Sequence, residues 1–322
     1  MTMKPKISIT RWIPEEAVDL LRGVGTVSIS PLERPLTLSE LLDAGRGANA
    51  LVTMLHDRVD KRLFDAAGDQ LRVVANVAVG CDNIDLAAAR RHQVVVTNTP
   101  GVLTDSTADL AMTLILMATR RTGEGERMIR AREVWSWHMG FLVGSSLKGK
   151  TLGIVGLGAI GRATAARARA FGMRICYSGR GRAPETVEAE LNAQFLELDD
   201  LFSQCDVVSL HCPLTRATHH LVDRRRLELM HRRSYLVNTA RGAIVDEAAL
   251  VRVLRAGRIA GAALDVFERE PTVDDGLIGL ENVVVTPHLG SATYETRTEM
   301  AMLAARNVAL VLTDREPLTP VK

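Results

Sequence analysis

This sequence predicts an α/β protein in which one doubly wound unit is inserted into a second, smaller one. Three observations predict it. A glycine loop, Gly153-Ile154-Val155-Gly156-Leu157-Gly158-Ala159-Ile160-Gly161, stands between an apolar run and an alanine-rich helical segment. Strand-like and helix-like segments alternate almost throughout the 322 residues. Two proline-bearing breaks, Thr99-Pro100 and Pro287-His288, divide that alternation.

The glycine loop comes first because it is the most specific. Thr151–Val155 reads as a strand, residues 160–171 as a helix, and Arg174–Ser178 as the next strand. Strand, GxGxxG and helix in that order make a dinucleotide site. Gly156 permits the tight turn, Gly158 admits a pyrophosphate close to the backbone, and Gly161 lets helix and strand pack. Ala159 and Ile160 open the helix, whose first N–H groups and partial positive charge suit phosphates.

The end of the second strand indicates which dinucleotide. A site for NAD(H) needs an Asp or Glu there to hold the ribose hydroxyls. The segment is Tyr177-Ser178-Gly179-Arg180-Gly181-Arg182, with no acid before Glu185. Arg180 and Arg182, beside Ser178, would instead pair with a 2′-phosphate, so NADP(H) is expected in preference to NAD(H). The alternative is two solvated loop arginines.

Ahead of the loop, strands are expected over residues 7–10, 26–30, 50–54, 71–75 and 94–97, with helical segments between them. Pro14 falls in the first turn of a helix over 14–21. A long apolar helix over 107–120 follows the first break, with Asp105 or Ser106 as N-cap. It is too apolar for a one-sided surface helix, which places it between domains or subunits. Further strands are expected at 206–210, 235–238, 261–265 and 282–286, and a last helix at 294–313. The nucleotide domain is therefore residues 100–287. Residues 1–99 with 288–322 form the substrate domain, and the two crossings make the hinge and floor of a cleft.

Composition fits a soluble enzyme: 47% hydrophobic residues can bury a large core, and a net charge of +2 gives no reason to propose nucleic acid or membrane partners. Cys81, Cys176, Cys205 and Cys212 lack CxxC spacing and read as reduced cytoplasmic thiols, neither a disulfide frame nor a metal site. No signal peptide is expected before the first strand, and the longest apolar helix is too short to span a bilayer.

Candidate chemistry gathers at the carboxyl ends of the later strands, where ligands bind in open α/β sheets. The segments are Asn238-Thr239-Ala240-Arg241-Gly242, Asp265-Val266-Phe267-Glu268-Arg269-Glu270-Pro271 and Thr286-Pro287-His288-Leu289-Gly290-Ser291. An Arg, an acid and a His brought together can bind a carboxylate, orient an imidazole and move a proton.

In these motifs, and in Val79-Gly80-Cys81-Asp82-Asn83-Ile84-Asp85, the chain resembles the D-isomer-specific 2-hydroxyacid dehydrogenases over essentially its full length. Tyr177-Ser178-Gly179-Arg180 and Gly290-Ser291-Ala292-Thr293-Tyr294-Glu295-Thr296-Arg297 are most similar to the NADP(H)-preferring glyoxylate/hydroxypyruvate reductases, including a bacterial type that also reduces 2-ketogluconate. The resemblance implies a Rossmann nucleotide domain inserted into a flavodoxin-like substrate domain. It implies His288 as general acid, Glu270 as the partner that keeps it charged, and Arg241 as the grip on the substrate carboxylate. The backbone N–H groups of Val79 and Gly80 would hold that carboxylate from the other domain, and closure would expel water.

The same resemblance puts Asp265 near the nicotinamide ribose or amide, with a loop cap as the alternative. It puts Thr107 at the nicotinamide, with a helix cap as the alternative. Pro213 and Thr218 would flank the adenine beside Cys212, and Thr239, Ala240 and Gly290 would line the cofactor site. Leu55 and Trp137 would shape the substrate pocket, Trp137 reaching into the neighbouring subunit of a homodimer formed through 107–120 and the arm 135–147.

Some positions depart from the pattern. Ala159 stands where many relatives carry Arg, and Cys81 replaces a bulkier residue beside the carboxylate site. Glu270 stands where formate-oxidising relatives have Gln, which disfavours that reaction. The absence of a regulatory domain and of the NAD carboxylate disfavours a serine-regulated phosphoglycerate dehydrogenase. The expected reaction is reduction of glyoxylate and hydroxypyruvate by NADPH, with D-glycerate formed from the latter. The alternatives are a 2-ketogluconate or broad 2-keto acid reductase and, from another class, a non-catalytic dinucleotide-sensing corepressor.

Overall fold

Strands β1 (Lys6–Ile9), β2 (Thr26–Ile29), β3 (Ala50–Thr53), β4 (Val73–Asn76) and β5 (Val95–Thr97) form one parallel sheet in the order β2-β1-β3-β4-β5. The computed structural model describes residues 4–321. Helices α1 (Glu15–Arg22), α2 (Leu38–Gly45), α3 (Lys61–Ala67) and α4 (Leu86–Arg91) make the crossovers that parallel pairing requires. Polar side chains start three of them: Thr37 and Glu40 form a reciprocal capping box, and Asp60 and Asp85 cap α3 and α4. Strands β3 and β4 are buried along their whole length, as a sheet covered on both faces demands. This strand order is the flavodoxin-like one.

The second sheet is built from β6 (Thr151–Val155), β7 (Arg174–Ser178), β8 (Ala193–Phe195), β9 (Val207–Leu210), β10 (Tyr235–Asn238), β11 (Gly261–Leu264) and β12 (Val283–Val285). All seven are parallel, in the order β12-β11-β10-β9-β6-β7-β8. Counted within the unit, that is the Rossmann order with one strand added at the far edge. Helices α5 (Thr104–Thr119) and α6 (Thr122–Arg130) precede the sheet. Between its strands run α7 (Ala159–Ala170), α8 (Glu185–Leu191), α9 (Leu198–Gln204), α10 (Arg224–Leu229), α11 (Glu247–Arg255) and α12 (Asp275–Ile278). Two apolar clusters sandwich it, one around Phe202, Leu236 and Leu250, the other around Leu114, Ile154 and Tyr177.

The chain divides at 103/104 and 291/292, where the sequence suggested 99/100 and 287/288. His288 and Gly290 thus belong to the unit that carries the glycine loop. The first unit is completed by α13 (Tyr294–Leu312), which packs on α1, β3 and β4. Inside it, buried Asn307 accepts the N–H groups of Leu318 and Thr319, fastening the tail that follows.

One sequence expectation needs correction. Helix α5 starts at Thr104, so Asp105 and Ser106 lie in its first turn and neither stands at the N-cap position; the Asp105 carboxylate pairs with Arg167 on α7 at 2.9 Å. An acid in a first turn is favoured by the helix dipole, so it does not mark the boundary. Part of the apolar surface of α5 is covered within its own unit. Met112, Leu114 and Ile115 pack on the second sheet of their own unit. Strand β8 and helix α6 have no counterpart in the sequence reading; α6, Thr-Gly-Glu-Gly-Glu-Arg-Met-Ile-Arg, has only two large apolar residues, Met128 and Ile129, to mark it. All four cysteines are free, and among the described residues no helix is long and apolar enough to cross a membrane.

Candidate active site

At the glycine loop the backbone does what the spacing implied. Gly156 adopts φ +98°, and a Cβ there would lie 2.8 Å from the Cys212 amide nitrogen. A Cβ on Gly161 would lie 2.3 Å from the Gly156 carbonyl oxygen, so only glycine lets α7 start this close to the loop. Gly158 is exposed and is the N-cap of α7, with no side chain capping it. The first N–H groups of α7, from Ala159 and Ile160 on, are therefore open to a phosphate. At the end of β10, the Thr239 hydroxyl is buried with no partner, an acceptor or donor awaiting a ligand. These residues fit a dinucleotide.

Three adjacent strand ends, on β10, β11 and β12, carry the chemical groups. After β10, the Asn238 side chain braces the turn: its Oδ1 accepts the Ala240 N–H at 3.0 Å and its Nδ2 donates to the Arg241 carbonyl at 2.9 Å. Gly242 follows. A Cβ there would lie 1.8 Å from the Phe267 carbonyl carbon, so glycine lets the Arg241 turn abut the loop after β11. The Arg241 side chain is half-buried and its Nη1 donates to the Ala240 carbonyl at 2.8 Å.

Asp265, fully buried, organises the third segment. Its Oδ1 accepts the Thr286 hydroxyl and the Leu289 N–H, both at 2.7 Å, and its Oδ2 accepts the Gly290 N–H at 2.9 Å. Its carbonyl accepts the His288 N–H at 2.9 Å. Burial pushes the Asp265 carboxyl above the usual range, and these donors pull against it. The loop is held tightly enough to keep His288 at φ +54°, a conformation that costs a non-glycine residue about 1 kcal/mol. Thr107 contributes from α5, its hydroxyl donating to the Gly290 carbonyl at 3.1 Å. Asp265 thus caps the loop over 286–290. Thr107 caps the same loop and not the start of α5.

So held, His288 Nδ1 lies 2.8 Å from Glu270 Oε2. An ionised carboxylate only accepts, so Nδ1 carries the proton and the ring orientation is fixed. The other Glu270 oxygen accepts the Phe267 N–H at 3.1 Å. Sequence reasoning missed the support beneath this loop. Glu268 Oε1 accepts from His220 Nε2 at 2.8 Å and from the Glu247 N–H at 3.1 Å, while the Glu268 N–H donates to Glu247 Oε1 at 2.6 Å. Only a pairing across 21 residues reveals it. No local motif announces it.

Residues 112–290 match the family described as D-isomer specific 2-hydroxyacid dehydrogenase, NAD binding domain. A glyoxylate reductase of Thermococcus kodakarensis is 48% identical, the match covering 99% of this chain and 96% of that protein. This chain belongs to the D-isomer specific 2-hydroxyacid dehydrogenase family. A crystal structure of a glyoxylate reductase from Paecilomyes thermophila superposes with a TM-score of 0.89 at 34% identity, over 100% of this chain and 99% of that one. An NADPH-dependent glyoxylate/hydroxypyruvate reductase from Sinorhizobium meliloti, solved with NADP and malonate, gives 0.84 at 33% identity, over 99% and 97%.

Around this dehydrogenase core, the remaining expected residues fall as follows. Ser178 is buried at the end of β7, and its carbonyl accepts the Gly156 N–H. Arg180 is exposed and makes no hydrogen bond or ion pair among the described residues, whereas Arg182 pairs with Glu188 at 2.9 Å. After β9, Thr218 turns inward to its own loop, its hydroxyl donating to the Pro213 carbonyl at 2.6 Å and accepting the Thr215 N–H at 2.7 Å. Burial pushes the Cys212 thiol up to about 11, so it stays neutral. In the first unit, the Val79 and Gly80 carbonyls accept from Asn98 and Asn76, while their N–H groups donate to nothing among the described residues. Leu55 is half-buried after β3. Trp137 is 73% exposed on an irregular arm, beside Trp135, which stacks on Phe141 at 5.7 Å.

Two outcomes test this construction. Asp265→Ala strands three donors, that of Gly290 buried and those of Thr286 and Leu289 partly so, and so chemical denaturation should show the nucleotide unit weakened by about 2–4 kcal/mol and turnover should fall with it; unchanged stability would remove Asp265 as the anchor. The second concerns His211, next to Cys212, whose ring bonds to the Ser209 hydroxyl at 2.9 Å and is pushed by burial from 6.5 to about 4. Below pH 6.5 the unfolded chain takes up a proton that the folded chain refuses. Its contribution, on the order of 1–3 kcal/mol, is full above pH 6.5 and is lost as pH falls toward 4. His211→Gln should flatten that part of the stability–pH curve.

Proposed function

We propose that this protein reduces small 2-keto acids, glyoxylate and hydroxypyruvate first, with NADPH preferred over NADH. The observation that carries the reading is the His288–Glu270 pair held at 2.8 Å on loops next to the one bearing Arg241. When bound, the reduced nicotinamide supplies the hydride that adds to the keto carbon. His288 gives its proton to the keto oxygen as negative charge develops there, and Glu270 keeps the ring turned and balances the imidazolium charge. Arg241 grips the substrate carboxylate and polarises the carbonyl with its guanidinium charge. Hydroxypyruvate gives D-glycerate.

For the cofactor, the first N–H groups of α7 take the pyrophosphate and the Thr239 hydroxyl takes a polar group of the dinucleotide. The preference for NADPH is supported by the lack of a carboxylate at the end of β7 and by the exposed, unpaired Arg180. A homodimer is supported by Val134, Trp135, Trp137, Met139 and Val143, five large apolar side chains more than half exposed on one arm.

Initial rates of cofactor oxidation with hydroxypyruvate and with glyoxylate test the reading, NADPH and NADH being run in parallel. Turnover with NADPH well above that with NADH is expected, and His288→Ala should lower kcat by about 10²–10⁴-fold. A loss within a few-fold removes His288 as the proton donor. No turnover by the wild-type chain with any 2-keto acid favours a nucleotide sensor. Light scattering should give twice the mass of one chain, and charged residues in place of Trp135 and Trp137 should shift it toward the monomer.

A further inference from the structure

The loop between β7 and α8 places its one unpaired cation between two glycines, Gly179 and Gly181, both exposed. Glycines on either side of Arg180 leave it loose unless something closes the loop. The structure closes it from below. The Tyr177 ring is buried in the sheet, in register with Ile154 and Phe195, and meets Phe195 edge-on at 5.5 Å. Its hydroxyl accepts the Ala183 N–H at 2.7 Å and donates to Glu188 Oε1 at 2.6 Å. Residues 178–182 are therefore a short arch pinned at both ends, with Arg180 at its centre.

Glu188 completes the device. It takes Arg182 through two contacts, Nε at 3.2 Å and Nη2 at 2.9 Å. The Arg182 guanidinium, with Tyr177 helping, holds the Glu188 carboxyl below the usual range, so it is charged. Arg182 and Glu188 cancel, and Arg180 is the net positive charge of the arch. The two arginines that look equivalent in the sequence are thus not equivalent in the fold.

Building on the NADPH reading above, we propose that Tyr177, Arg182 and Glu188 are positioning residues for cofactor discrimination: the Tyr177 hydroxyl, held by Glu188, pins the arch so that Arg180 alone meets the 2′-phosphate, and Arg182 acts only by covering the charge of Glu188. If Arg182 touched the phosphate itself, deleting it would remove a contact. In the arrangement seen, deleting it uncovers a carboxylate that repels the phosphate, and neutralising that carboxylate repairs the damage.

KM for NADPH and for NADH, measured on the full chain with hydroxypyruvate, separates the cases. Arg180→Ala should raise KM for NADPH roughly tenfold or more and leave NADH nearly unchanged. If the ratio of the two does not move, the NADPH reading itself fails. Given that response, Arg182→Ala should raise KM for NADPH roughly fivefold, and adding Glu188→Gln should return it close to wild type. No rescue in the double variant overturns the inference, because Arg182 would then be a direct phosphate contact. Tyr177→Phe, which keeps the buried ring, should raise KM for NADPH roughly fivefold with kcat and the NADH value unchanged. Equal changes for both cofactors, or none, would also overturn it.

Discussion

A single buried carboxylate, that of Asp265, gathers the segment that carries His288. Three donors from residues 286–290 converge on its two oxygens, and its carbonyl takes the His288 N–H. A buried charge is tolerated only where its hydrogen bonds are satisfied, so the loop has essentially one place to go. That confinement keeps His288 in the left-handed region and turns its ring to Glu270. The His288–Glu270 pair is thus set by a bond network that His288 enters only through its backbone N–H.

Parallel sheet topology then decides which groups can be neighbours. The order β12-β11-β10 puts the three loops after these strands side by side, although their sequences lie tens of residues apart. Glycine at 242 lets two of the loops touch backbone to backbone, and the Glu247–Glu268–His220 cluster fixes the second from beneath. Each support removes freedom that substrate binding would otherwise have to remove, the usual meaning of preorganisation in a site of this kind.

The other half of the nucleotide unit follows the same logic with weaker forces. The arch after β7 rests on one buried tyrosine hydroxyl and one surface ion pair. Ion pairs of that exposure add little stability. Their effect here is on charge: Glu188 removes one of two apparent cations and leaves Arg180 as the other. A count of arginines in the loop therefore overstates the positive charge that an approaching phosphate meets.

Much of this was legible in the sequence. The strand–GxGxxG–helix unit, the alternation of strands and helices, and the family motifs at 238–242, 265–271 and 286–291 follow from local patterns, because glycine conformations and apolar periods are written within a few residues. What the tertiary structure alone decided lies in pairings over longer reach. Asp105 is a first-turn acid held by Arg167, Thr107 and Asp265 are loop anchors, Glu268 is fixed by Glu247, and Arg182 is claimed by Glu188. Polar side chains are interchangeable in a sequence pattern, since any acid can meet any base. Only the backbone path through space selects which pair comes within hydrogen-bond reach.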